Sequence, residues 1–217
     1  MRHFVFLIVA AFVFLGCGSD SGTSGSGSDS GGESTTDDGG TTAATDDGGT
    51  TATDGGTPRC DKLMSERAVG YDVGVMVPDM TLSNCSGDKL SLHEALCNKK
   101  AAMIYFASGW CQPCAEKMPK LESLHQKYGN EIEIWVAMRE NTGPQDPATK
   151  YFCQEWTDEY ELSFPVVIDP TDKHTGNFLT AGSTFPVIVM VDSSGTIQAI
   201  ETGGDVDLEA YVQALVE

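Results

Sequence analysis

The sequence predicts an α/β domain in which a central mixed β-sheet is flanked by helices. Residues 101–107 form a continuous apolar run of strand length, which is typical of a central strand covered on both faces. Residues 132–138 alternate apolar residues with others, as a second strand would. Strand and helix patterns then follow one another and end in a hairpin and a helix, which is the order of a sheet sandwiched by helices.

The remaining elements follow from shorter patterns. Residues 80–83 and 89–92 predict two short strands around a turn at 86–88, so the sheet begins with an N-terminal β-hairpin extension. Residues 91–94 read S-x-x-E, a capping box that starts a brief helix reaching about Cys97. The other predicted elements are a helix from 115 to 128, a helix over 148–161, a strand at 165–169, a hairpin of strands 187–191 and 196–200, and a helix over 208–215.

The N-terminus has the pattern of an export signal. Arg2 and His3 precede an apolar run over residues 4–15, about half of the roughly 20 residues that a membrane-spanning helix needs. Residues 14–17, Phe-Leu-Gly-Cys, resemble the cleavage site of bacterial lipoproteins, where the cysteine becomes the lipidated first residue. We therefore expect residues 1–16 to be a signal peptide and Cys17 to be lipidated; an ordinary signal peptide with an incidental cysteine is the alternative.

A low-complexity segment separates this signal from the folded domain. Residues 18–57 are almost entirely Ser, Gly, Thr, Asp and Ala, with no Lys, Arg or aromatic residue. Such a segment has no apolar surface to bury, so residues 17–57 are expected to form a disordered acidic tether. Residues 58–217 are long enough for one well-cored domain, expected to be monomeric. The formal charge of −19 argues against nucleic-acid binding, which needs clustered cations.

Seven cysteines indicate disulfide chemistry. Setting Cys17 aside leaves six, and an even number in an exported chain points to disulfides. If Cys111 and Cys114 are the redox pair, the other four cysteines allow three connectivities. The pairing predicted from their spacing is Cys85 with Cys97, which flank the hairpin and its helix, and Cys60 with Cys153.

The segment W-C-Q-P-C at residues 110–114 carries the predicted chemistry. It lies between a buried strand and a helix start, where unpaired N–H groups and the helix dipole stabilise a thiolate at Cys111. Cys114 lies one turn into the helix, so Cys111 is expected to attack a partner disulfide and Cys114 to resolve the mixed disulfide. A zinc site and a structural disulfide are the alternatives. Zinc would need two further ligands, and a bond across two residues closes a very small loop.

The run A-S-G-W-C-Q-P-C at residues 107–114, followed by Met118-Pro119, resembles the membrane-anchored, thioredoxin-like thiol-disulfide oxidoreductases of the TlpA/ResA type, which are related to the AhpC/TSA proteins. The resemblance begins at about Val77 and extends to the C-terminus. It implies a thioredoxin-like fold, protein thiols and disulfides as substrates, a location outside the cytoplasm, and no cofactor or metal. It also implies a cis-proline opposite the cysteine pair, which we assign to Phe185-Pro186, with Pro165 as the rival.

The resemblance also implies supporting residues, and two positions depart from it. Trp110, Pro113, Phe185 and Pro186 are expected to form or support the substrate groove. Many relatives carry Glu three residues after the second cysteine, whereas this chain has Lys117. Thioredoxin has a buried Asp six residues before the first cysteine, whereas this chain has Tyr105.

Two other functions fit parts of the pattern. A thiol peroxidase is one, although peroxiredoxins carry P-x-x-x-T-x-x-C and this chain has Ile104 and Ser108 at the two conserved positions. A copper-binding or copper-delivery protein of the same fold is the other, with His174 joining the two thiols as a ligand. Copper carriers of this fold tend to have three residues between their cysteines, whereas this chain has two.

Overall fold

A computed structural model describes residues 67–180 and 184–217. The predicted signal peptide, Cys17, the tether and Cys60 lie outside these residues. The strands are β1 (Thr81–Asn84), β2 (Lys89–Ser91), β3 (Ala101–Ala107), β4 (Ile132–Met138), β5 (Val166–Ile168), β6 (Val187–Asp192) and β7 (Ile197–Thr202). The helices are α1 (Leu92–Leu96), α2 (Gln112–Tyr128), α3 (Lys150–Glu159), α4 (Thr175–Phe178) and α5 (Leu208–Val216). No helix within the described ranges is long and apolar enough to cross a membrane.

The strands form one mixed sheet in the order β2-β1-β5-β4-β3-β6-β7. β3 pairs in parallel with β4 and antiparallel with β6. Because Ala107 pairs with Met138, β3 and β4 end side by side at one edge of the sheet. The residues that follow these two strands are therefore neighbours, and the redox motif lies among them.

Two hydrophobic layers cover the sheet, one on each face. On one face, alternate residues of β3 such as Met103 pack with Leu121 of α2, Trp156 of α3 and Leu208 of α5. On the other face, the intervening residues such as Ile104 pack with α1 and α4. All seven residues of β3 are buried, which confirms the predicted central strand covered on both faces.

The N-terminal hairpin extension is confirmed. β1 pairs antiparallel with β2, and it also pairs antiparallel with β5, which joins the hairpin to the sheet. The Ser91 side chain accepts a hydrogen bond from the Glu94 backbone N at 3.2 Å, so Ser91 caps α1 as its S-x-x-E pattern predicts. The four-residue helix α4 was not predicted.

The predicted pairings Cys85 with Cys97 and Cys60 with Cys153 are wrong. Cys85 is bonded to Cys153, with 5.2 Å between their Cα atoms. The reason lies in the sheet, because β1 pairs with β5 and this places the residue after β1 beside α3, which precedes β5 in the chain. Both sulfurs lie near the carbonyl oxygen of Val166, at 3.6 and 3.5 Å. Cys97 is disulfide-bonded as well, and its partner is not among the described residues.

Candidate active site

The cysteine pair lies at the junction of β3 and α2. Cys111 caps α2, and its Sγ accepts a hydrogen bond from the Cys114 backbone N at 3.2 Å. The first turn of α2 contains a proline and no acidic residue, so no carboxylate within that turn opposes negative charge on that sulfur. Cys111 and Cys114 form a disulfide with 5.2 Å between their Cα atoms.

The two sulfurs differ in access. A groove of about 540 Å³ is lined by Cys111 together with Trp110, Pro113 and Phe185, three of the residues predicted to form it. Cys114 is completely buried. A partner in the groove therefore reaches Cys111 first. Arg139 also lines the groove, and it was not predicted.

The predicted cis-proline directly follows Phe185, which lines the opposite wall of the groove. Phe185-Pro186 is the cis peptide bond in the described part of the chain, so the rival Pro165 is trans. The Pro186 carbonyl accepts a hydrogen bond from Gly203 N at 2.9 Å, which ties this wall to the end of β7. The Phe185 ring meets the Trp110 ring edge to face, with 5.9 Å between centroids, so the two walls are in contact.

Glu140, which is not among the predicted site residues, contacts the segment before Cys111. Its side-chain Oε2 accepts hydrogen bonds from Trp110 Nε1 at 2.7 Å and from Ser108 Oγ at 3.2 Å. Its Oε1 accepts from Gln145 N at 2.8 Å. Burial alone would raise the pKa of Glu140, but these donors and the Arg139 charge hold that pKa below its ordinary value. The carboxylate is therefore ionised at neutral pH.

Gly109 lies so close to its neighbours that it leaves no room for a side chain. Its N donates to the Glu140 backbone O at 3.0 Å. A Cβ at this position would lie 2.3 Å from the Phe152 ring and 2.6 Å from the Asn141 carbonyl oxygen. Only glycine fits there without displacing its neighbours.

The two positions that depart from the family pattern differ in their surroundings. Tyr105 is completely buried beneath the pair, and its hydroxyl lies 3.5 Å from the Cys114 carbonyl oxygen. Burial raises the pKa of Tyr105 well above its usual range, so it stays neutral. Lys117 is half-buried and lines a separate surface groove with Asp205 and Asp207.

The structure does not bring together the residues of the copper alternative. His174 is buried, and its Nδ1 lies 3.3 Å from the Tyr71 hydroxyl. No three His, Cys, Asp or Glu side chains within residues 67–180 and 184–217 are grouped to hold a metal ion. For the peroxidase alternative, the Ser108 hydroxyl is completely buried and already donates its proton to the Glu140 carboxylate at 3.2 Å.

The fold and the site together define a thioredoxin-like thiol-disulfide oxidoreductase: a mixed sheet with a W-C-x-P-C pair at a helix start and a cis-proline across the groove. The chain belongs to the AhpC/TSA family, whose profile matches residues 73–200. The family and fold implied by the sequence resemblance are therefore confirmed.

Two relatives and one solved structure are similar to this chain. The thioredoxin-like protein YneN of Bacillus subtilis is 30% identical over 139 residues, which is 64% of this chain and 76% of that protein. The thiol-disulfide oxidoreductase ResA of Bacillus cereus is 27% identical over 146 residues, which is 66% of this chain and 78% of that protein. The thioredoxin domain of a thiol-disulfide oxidoreductase from Bacteroides vulgatus has the same fold, with a TM-score of 0.55 at 21% identity, covering 67% of this chain and 99% of that domain.

Proposed function

We propose that this protein exchanges dithiols and disulfides with protein substrates outside the cytoplasm, with Cys111 as the attacking thiol and Cys114 as the resolving thiol. The observation that carries this assignment is that Cys111, although only 4% exposed, lines the groove, whereas Cys114 does not. Cys111 lines the groove and accepts an N–H at the helix start, whereas Cys114 is fully buried behind it. A thiolate at Cys111 is both stabilised and reachable.

The exchange then proceeds in two balanced steps. The Cys111 thiolate attacks a disulfide of the partner, its S–S bond breaks, and one partner sulfur leaves as a thiolate that takes up a proton. Cys114, once deprotonated, attacks the Cys111 sulfur and releases the second partner thiol. Two electrons have moved from the 111/114 dithiol to the partner, and the reverse sequence oxidises a partner dithiol.

Substitution of each cysteine tests these roles. We expect Cys111→Ser to abolish reduction of insulin by the dithiothreitol-recycled protein. We expect Cys114→Ser to accumulate a mixed disulfide with insulin, detected as an adduct in intact-mass spectra. A variant with both Cys85 and Cys153 replaced by Ala is the control, because it removes a disulfide away from the groove and should keep turnover while it remains folded. Wild-type turnover by Cys111→Ser would refute the assignment.

The reduction potential of the 111/114 couple decides the direction of electron flow. A value near about −270 mV, like that of thioredoxin, would make the protein a reductant, whereas one near about −120 mV would make it an oxidant. The potential is measured by equilibration in glutathione or dithiothreitol buffers followed by thiol alkylation. A pair that cannot be cycled at all would refute the redox function.

We also propose the domain order and location predicted above: a signal peptide over residues 1–16, a lipid on Cys17, a tether to residue 57 and the redox domain over 58–217. The Cys85–Cys153 disulfide supports the location, since such bonds persist in oxidising compartments. Cells fed an alkyne-bearing fatty acid should label the full-length protein, and Cys17→Ser should lose both the label and membrane retention. Unchanged labelling of that variant would contradict lipidation at Cys17.

A further inference from the structure

Glu140 contacts three successive residues of the redox loop, which we define as residues 108–111. Its side chain accepts hydrogen bonds from the Ser108 hydroxyl and the Trp110 indole, and its backbone carbonyl accepts one from Gly109 N. The loop leads directly into Cys111, the sulfur that lines the groove. Glu140, two residues after the end of β4, is therefore hydrogen-bonded to three of the four residues of the loop that ends in the attacking sulfur.

The carboxylate is itself rigidly placed. β3 and β4 run in parallel, and beyond their last pair Arg139 N donates to the Ala107 carbonyl at 2.9 Å. This places the next residue, Glu140, beside the start of the redox loop. Gln145 N holds the second carboxylate oxygen at 2.8 Å, and only 6% of Glu140 is exposed. Both oxygens are thus occupied, and the group cannot rotate freely.

We propose that Glu140 is a positioning residue that holds Trp110 against Phe185, so that the groove beside Cys111 is preformed for a protein substrate. The inference rests on the proposed function, because it assigns the groove to a protein partner. The indole is 42% exposed, and its edge-to-face contact with Phe185 joins the two walls. Without its N–H partner, a half-exposed side chain would sample other rotamers and open that contact.

A second Trp–Glu pair in this chain provides a comparison for Glu140 and Trp110. Trp135 Nε1 donates to Glu133 Oε1 at 2.9 Å, but the Trp135 ring is 1% exposed and fixed by the core. At the redox loop, by contrast, a buried carboxylate orients an indole that reaches into solvent. Burying a carboxylate is costly, and stability alone is weak grounds for doing so. The Glu133–Trp135 pair supplies a matched control.

The kinetic test compares a protein substrate with a small one. We expect Glu140→Ala to lower kcat/KM for insulin about tenfold, mainly through a higher KM, because the bond to Trp110 Nε1, one of the three hydrogen bonds that this carboxylate accepts, holds the groove wall in place. The rate with hydroxyethyl disulfide, which does not span the groove, should stay within about twofold. Glu140→Gln keeps an acceptor for the indole, so its kcat/KM for insulin should lie between those of the wild type and Glu140→Ala. The control Glu133→Ala, which removes the acceptor of Trp135, should leave the rates with both substrates unchanged.

Two further variants separate positioning from general damage. Trp110→Phe keeps a ring but removes the N–H, and it should reproduce the loss seen in Glu140→Ala. The double variant should be no worse than the stronger single one, since both remove the same interaction. Equal losses with both substrates, or additive losses in the double variant, would overturn the proposal. Near-UV circular dichroism shows which variants remain folded. If Glu140→Ala does not fold, Trp110→Phe and Glu140→Gln still test the proposal.

A spectroscopic readout tests the contact without any turnover. In protein labelled with 5-fluorotryptophan, the three tryptophans give separate ¹⁹F resonances that single Trp→Phe variants assign. We expect Glu140→Ala to shift and sharpen the Trp110 resonance alone, and Glu133→Ala to move that of Trp135 alone. An unmoved Trp110 resonance overturns the positioning role whatever the kinetics. If the Trp110 resonance moves in Glu140→Ala but the wild-type protein shows no turnover, the proposed function is refuted and the Glu140–Trp110 contact still stands.

Discussion

Replacement of Gly109 by Ala tests how tightly the redox loop is packed. The added methyl would lie 2.3 Å from the Phe152 ring and 2.6 Å from the Asn141 carbonyl oxygen, both far inside contact distance. The ring could move, although it also packs against Trp156 at 5.9 Å between centroids. The carbonyl is backbone and cannot rotate away, so the loop itself must shift.

The cost follows from these contacts. Overpacking a well-packed site typically lowers the free energy of unfolding by about 1–3 kcal/mol. Because Gly109→Ala clashes with backbone, we expect a loss in the upper half of that range, about 2–3 kcal/mol. For a domain of this size each kcal/mol lowers Tm by about 2–4 °C, so Tm should fall by about 4–12 °C. Because Gly109 precedes Trp110 and Cys111, turnover with insulin should fall as well, even below the new Tm.

Gly143 provides the matched control for Gly109. A Cβ on Gly143 would meet nothing within 4 Å, so Gly143→Ala should stay within about 1 kcal/mol of wild type. Urea unfolding followed by far-UV circular dichroism measures both variants, and insulin reduction measures activity. Equal stabilities for the two variants would refute the packing argument at Gly109. Full activity in a destabilised Gly109→Ala protein would refute its link to the redox loop.

Three further outcomes are expected. Replacing both Cys85 and Cys153 by Ala should cost about 4 kcal/mol, because their disulfide closes a loop of 68 residues, and the urea midpoint measures this loss. Burial lowers the pKa of His174 below its ordinary value of 6.5, so the stability of the fold should be full above about pH 6.5 and should fall as the pH drops below it. His174→Gln should flatten that part of the stability profile, which urea unfolding at a series of pH values measures. Tyr105→Phe should change stability by at most about 1 kcal/mol and leave the pH profile of insulin reduction between pH 6 and 9 unaltered.

The sequence predicted the parts of the fold that depend on local patterns. β3 and β4 have the predicted bounds, because one is a continuous apolar run and the other alternates over seven residues. The cysteine pair was found through its motif after the first of these strands, whereas the cis bond before Pro186 was expected from the family resemblance. The four residues of α4 are too few to show a helical period.

The disulfide partners could not be predicted because they depend on which strands pair. Spacing along the chain favoured Cys85 with Cys97, but the antiparallel pairing of β1 with β5 brings Cys85 to Cys153 across 68 residues. Glu140 is a different case. Parallel neighbours end at the same edge of a sheet, so an acid two residues after β4 could have been placed beside the redox loop once β3 and β4 were known to pair.

The proton chemistry of the site follows from three residues. Tyr105 stands where thioredoxin has a buried acid, and burial keeps its hydroxyl neutral because it raises the pKa. Lys117 stands where many relatives have Glu, and it lines a different groove from Cys111. Glu140 contacts the redox loop, but its pKa is held below its ordinary value, so it carries no proton at neutral pH. None of the three offers a protonated carboxyl group beside the cysteine pair near pH 7. The pH dependence of exchange should therefore report the ionisation of Cys111, of Cys114 and of the partner thiols.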